Sequence, residues 1–95
     1  MKDEMNTPLF PHGNILATPS VISVTTEEER STFLLRHQIG SWEETPKEDR
    51  MQNMIGLTMG FRILSLHTAH LSGQKVWLIT EADRSSTTMI LPDKY

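Results

Sequence analysis

The sequence predicts an α+β fold in which two helices pack on a three-stranded antiparallel meander. Three observations carry this. Val76-Trp77-Leu78-Ile79 is a four-residue apolar run, β-branched and aromatic at its start, and apolar side chains on both faces mark a strand covered on both sides. The segments before and after it, 61–68 and 87–91, also read as strands across short turns. Upstream, two stretches open on helix-start signals and close on glycine.

Taken in order, residues 1–12 hold two prolines and no periodicity, and read as an extended arm with Leu9 and Phe10 available to tuck against the body. Residues 13–17 (GNILA) offer a candidate extra edge strand. Thr18-Pro19 has the form of an N-cap followed by a first-turn proline, but the β-branched Val21, Ile22 and Val24 limit it to a short turn of helix. Thr26-x-x-Glu29 is a capping box, and Glu27, Glu28 and Glu29 suit the positive end of a helix over 27–38. Phe33, Leu34 and His37 share its inner side, with Leu35 broadening the stripe.

Thr45-Pro46-Lys47-Glu48 combines an N-cap Thr, a Pro at the first helical position and a Glu closing the box, predicting a helix over 46–59. Met51, Met54, Ile55 and Thr58 recur at helical spacing, which favours them as the buried stripe, and Gly60 stops the helix. Residues 61–68 alternate, with Phe61, Ile63, Ser65 and His67 on one face and Arg62, Leu64, Leu66 and Thr68 on the other. Ser72-Gly73 turns the chain into a central strand over 75–81, and Ala82–Ser86 turns it again into a strand over 87–91. A single domain over 13–95 is expected.

Composition narrows the chemistry. With no cysteine among 95 residues, disulfides, thiolate catalysis and Cys-based zinc sites are excluded. The net charge of −3 is concentrated in residues 1–50, with nine acids against five bases. No basic stripe for duplex phosphates is visible, so direct nucleic-acid binding is not expected. Nothing approaches a membrane span or a secretory signal, so a cytoplasmic protein is expected. No phosphate loop or nucleophile pattern occurs, and no cofactor is implied.

Several residues resemble, in order, a family of small bacterial proteins carried by plasmids and other mobile elements. They are Ile15-Leu16-Ala17-Thr18-Pro19, Leu35-Arg36-His37 with Gly40-x-Trp42, Arg62-Ile63-Leu64-Ser65, and Lys75 through Ser85 with Thr87-Thr88 and Leu91-Pro92-x-x-Tyr95. The resemblance spans residues 9–95 and is most specific in the C-terminal third. The family's Gly-Asp-Trp-Gly loop stands here as Gly40-Ser41-Trp42-Glu43. Some members carry a restriction-modification label, read here as inherited from neighbouring genes. The resemblance implies a mobile-element context and brings no established activity.

Two functional classes follow. The first is a non-catalytic protein that binds a host or mobile-element protein, as an accessory or anti-defence factor, with a homodimer as a further option. The second is a small enzyme or an anion-binding domain built on the turn at 81–88 and His37. Asp83, Arg84 and Ser85 there set a guanidinium beside hydroxyls that suit phosphate or carboxylate, although Asp and Ser also simply favour turns. Arg36 and His37 stand where cations suit a helix end. His37 also titrates near neutrality, which suits proton transfer. Trp42 is either a lid over the core, the favoured reading, or an anchor for a partner. Met51, Met54 and Met59 suit an adaptable surface, though their spacing favours core. His67-x-x-His70 places its rings on opposite faces of a strand, so no metal site is expected. Arg84 either stands in water at the turn tip or folds back to pair with Glu81 or with an acid of 43–49.

Overall fold

The computed structural model describes residues 7–94. Its elements run β1 (Asn14–Ala17), α1 (Pro19–Val24), α2 (Glu27–Ile39), α3 (Lys47–Met59), β2 (Ile63–Thr68), β3 (Lys75–Thr80) and β4 (Ser86–Ile90), ending in a 3-10 turn at Pro92–Lys94. The predicted meander is present, and the sheet has a fourth strand: its order is β1-β4-β3-β2. β1 lies parallel to β4, with Ile15 opposite Thr87, while the other pairs are antiparallel. The sheet is therefore mixed, and β3 and β4 are its inner strands. No helix among the described residues is long and apolar enough to cross a membrane.

The local signals at α2 act as read. Thr26 Oγ1 accepts from the Glu29 amide at 3.1 Å, and Glu29 Oε1 accepts from the Thr26 amide at 2.9 Å. Glu29 reaches further than the box requires, because its other oxygen accepts from Leu71 N and ties α2 to the β2–β3 hairpin. Gly40 closes the helix in the left-handed region at φ 82°. The turn expected at Thr18-Pro19 is longer than read. It forms the six-residue α1, capped by Thr18 Oγ1 on Val21 N.

α1 and α2 cover the sheet face that carries Ser65, His67, Val76, Leu78, Thr80, Thr87 and Met89, and the apolar core there joins Val21, Phe33, Ala69, Val76, Leu78 and Met89. Leu35 stays exposed rather than broadening the buried stripe. A second cluster joins Phe10, Trp42 and Ile63, with Leu57 against it. On the opposite sheet face Ile79 is buried and Trp77 half-buried. Of the predicted arm, residues 1–6 lie outside the described residues. Residues 9 and 10 are docked: Leu9 N donates to Gln38 O, and the Gln38 amide donates to Phe10 O. Phe10 tucks in as expected, while Leu9 stays exposed.

Gly13 is where β1 enters the sheet. Its φ is 63°, and a Cβ there would overlap the carbonyl of Ser85, whose oxygen accepts the Asn14 amide at 2.9 Å. Only glycine satisfies both conditions.

Candidate functional site

α3 departs most from expectation. The stripe read as buried faces outward: Met51 is 57% exposed, Met54 62%, Ile55 46% and Met59 63%. The inner face is instead Asn53, Gly56 and Leu57. The cause lies on β2, whose outer edge has backbone groups that need partners. The Asn53 amide meets both groups of one residue, donating to Leu64 O at 2.6 Å and accepting from Leu64 N at 2.9 Å. Gly56 then lets the helix close onto the strand, since a Cβ there would stand 3.1 Å from Ile63 Cδ1 and 3.2 Å from the Phe61 and Arg62 carbonyl oxygens.

The same demand explains the N-terminus of α3. Thr45 is not its N-cap. That position belongs to Pro46, with no side-chain cap bond, and buried Thr45 Oγ1 instead accepts from Leu66 N at 3.0 Å. Glu44 completes the edge, accepting from Thr68 N and from its hydroxyl. Three side chains thus occupy the alternate outward amides of β2 and close that edge to further strand pairing.

The predicted binding residues divide between interior and surface. Trp42 is buried and donates from Nε1 to His37 O at 2.9 Å, as a core residue would. Arg36 is exposed, lining a cleft of about 600 Å³ between α2 and the β2–β3 hairpin. Asp83 and Ser85 are exposed in the β3–β4 turn, where Asp83 Oδ1 accepts from Ser85 N at 3.0 Å. The Ser85 hydroxyl and amide hold the Asp83 carboxyl below its ordinary range. Arg84 folds back, but not onto a carboxylate as expected. From a left-handed backbone at φ 61° its guanidinium donates to Phe61 O at 2.7 Å, Gly56 O at 3.1 Å and Glu81 O at 3.2 Å. Carbonyls at the end of α3 are the negative pole of that helix, so a cation suits them without an acid.

His37 is fully buried and does not join Asp83 or Ser85. Phe10 stands between it and Arg84, edge-on to the imidazole at 5.2 Å with the guanidinium 5.5 Å from its ring centre. His37 sits in a buried chain of polar groups that the sequence did not announce. His67 Nε2 lies 2.8 Å from Ser65 Oγ, which lies 2.5 Å from His37 Nδ1. His37 Nε2 is 2.8 Å from Thr80 Oγ1, Thr80 Oγ1 is 2.6 Å from Thr87 Oγ1, and Thr87 donates to His12 O at 2.8 Å.

One end of this chain sets every proton in it. The His12 carbonyl can only accept, so Thr87 donates to it and must accept from Thr80. Thr80, with one proton, must accept from His37 Nε2–H. His37 Nδ1 then accepts from Ser65, and Ser65 accepts from His67 Nε2–H. His37 is neutral in this order, and His67 carries a proton on Nε2. Burial, then the neighbouring His67 and Arg84, push His37 down to about 3. Burial pushes His67 down to about 4, against the opposing pull of Glu44. Ser65 and His37 have the spacing of a nucleophile and its base, yet Ser65, His37 and Thr80 have no exposed surface at which a substrate could meet them. The chain positions strands against α2.

Compared with protein-family models, with curated proteins and with solved structures, the sequence and fold give no match.

Proposed function

We propose that this chain is a non-catalytic protein of a mobile genetic element, acting in the cytoplasm as an accessory or anti-defence factor through contact with another protein. The observation that carries the contact is α3, whose four large apolar side chains Met51, Met54, Ile55 and Met59 all face outward. Apolar patches of this kind on a small fold mark interaction sites, and methionines give such a patch an adaptable surface. The helix cannot roll to hide them while Asn53 is bonded to Leu64. The mobile-element setting rests on the resemblance carried by residues 9–95. The alternative, an enzyme or anion site on His37 and the turn at 81–88, has less support: His37 is sealed from solvent and the Arg84 guanidinium is engaged by carbonyls.

A photo-crosslinking amino acid at Met54, expressed in the native host, tests the reading, with exposed Leu71 on the β2–β3 hairpin as control. Protein adducts from position 54 that are absent from position 71 are the expected result. Equal or no adducts from the two positions would refute the contact surface.

A further inference from the structure

We propose that β1 pairs edge to edge with β1 of a second copy of this chain, joining two four-stranded sheets into one of eight strands. The phase of β1 leaves part of its backbone without a partner. The Asn14 amide donates to Ser85 O at 2.9 Å and the Thr18 amide to Met89 O at 3.1 Å. Alternate residues of a strand turn their N–H and C=O to opposite sides. Leu16 therefore also faces β4, while Ile15 and Ala17 face away from it. β1 is the end strand of the sheet, and no group among the described residues bonds to these outward amides and carbonyls. Such an edge is a template for another extended backbone.

Three features name a second copy as that backbone. First, the opposite edge is closed, because Asn53, Thr45 and Glu44 hold the outward amides of β2. Head-to-tail growth of β1 onto β2 is thereby blocked. The pairing that remains is β1 on β1, which closes at two chains. Second, β1 complements itself. Antiparallel pairing about a two-fold axis at Leu16 sets Ile15 against Ala17 of the partner subunit, and Ala17 against Ile15 of the partner subunit. Both are hydrogen-bonded pairs. On the helix-covered face, large Ile15 then lies beside a small Ala17, along a groove of about 340 Å³ lined by Ile22, Leu34 and Met89. On the other face the two Leu16 side chains, each 52% exposed in the single chain, cover one another. Third, no Asp, Glu, Lys or Arg occurs from residue 7 to residue 26. The paired segments thus oppose no like charges, and the strand lacks the charges that keep edges apart.

The outward groups exchange water for each other, so their bonds set register more than affinity. Burial of Ile15 and Leu16 supplies the affinity. The contact lies at the far end of the sheet from α3. It goes beyond the α3 reading and leaves that surface open.

Sedimentation velocity of the purified full chain over a concentration series tests this. The wild type should reach twice its 10.9 kDa mass. Leu16→Glu and Leu16→Lys each set like charges opposite one another at the axis and should weaken the dimer at least about tenfold. Mixing the two variants should restore association. Both should keep the wild-type circular-dichroism spectrum, because position 16 is already exposed in one chain. The Ile15 and Ala17 amides should exchange slowly in the wild type and quickly in Leu16→Glu. Because the chain has no cysteine, Leu16→Cys should form an interchain disulfide on mild oxidation, as directly opposed non-hydrogen-bonded residues have Cα atoms about 4.5 Å apart. Asn14→Cys, on the same face but offset along the strands from its own copy, should not. A wild type that stays monomeric, or a dimer that survives Leu16→Glu, overturns the proposal. Positions 14 and 16 that crosslink equally, or not at all, overturn it as well.

Discussion

Mild acid should destabilise this protein well before its carboxylates titrate. His37 and His67 are neutral and buried in the folded chain, with pKa values of about 3 and about 4 against an ordinary 6.5. A pH unit or more above 6.5 neither histidine binds a proton in either state, and their contribution is constant. Below it the unfolded chain takes up protons that the folded chain refuses. Unfolding then becomes easier by about 1.36 kcal/mol per pH unit for each histidine. Between pH 7.5 and 5 the two together should remove roughly 4 kcal/mol, a large part of the 5–15 kcal/mol typical of a small protein. Glu29, Glu43 and Asp83, all held below their ordinary values, matter only in stronger acid, so this window isolates the histidines. Urea unfolding followed by tryptophan fluorescence at pH 7.5, 6.5, 5.8 and 5 reads the effect directly. Nitrogen NMR of the imidazoles should show both rings still neutral at pH 5, protonated on Nε2. A stability flat across the window, or His37 and His67 titrating near 6.5, would refute the buried neutral chain.

Ser65→Ala removes the hydroxyl between the two imidazoles and leaves a donor and an acceptor unmatched; a loss of about 2–5 kcal/mol in urea unfolding at pH 7.5 is expected. Asn53→Ala strips both partners from the Leu64 backbone and should cost about 2–4 kcal/mol, with faster hydrogen exchange at the Leu64 amide as the local sign. Arg84→Gly relaxes the left-handed backbone but abandons the carbonyls of Gly56 and Phe61, so a net loss of about 1–2 kcal/mol is expected. An unchanged melting point would remove the guanidinium's structural role. Gly13→Ala forces a Cβ onto the Ser85 carbonyl at positive φ, with an expected cost of about 1–3 kcal/mol by thermal unfolding.

The elements follow from signals within a few residues of one another. The Thr26–Glu29 box, the stops at Gly40 and Gly60, the alternation through Ile63–Thr68 and the apolar run at Val76–Ile79 depend on near neighbours, so their helices and strands were legible in the chain. The candidate surface was legible as residues but not as a surface. Met51, Met54, Ile55 and Thr58 keep the spacing of a buried stripe, and Asn53, Gly56 and Leu57 keep the same spacing on the opposite side. Which set turns inward depends on the edge of β2, a strand formed later in the chain, whose backbone groups require polar partners more strictly than the methionines require burial. A glycine and an asparagine inside one helix, each a poor helix former, were the only local hint. The parallel pairing of β1 with β4, the diversion of Thr45 from helix cap to strand edge and the anchoring of Arg84 on α3 share that origin. So do the neutral histidines: Ser65, Thr80 and Thr87 look like ordinary strand residues until the sheet register sets them beside His37. Hydrogen-bond partners far apart in the chain are allotted only when the sheet is assembled, and local propensity carries no record of them.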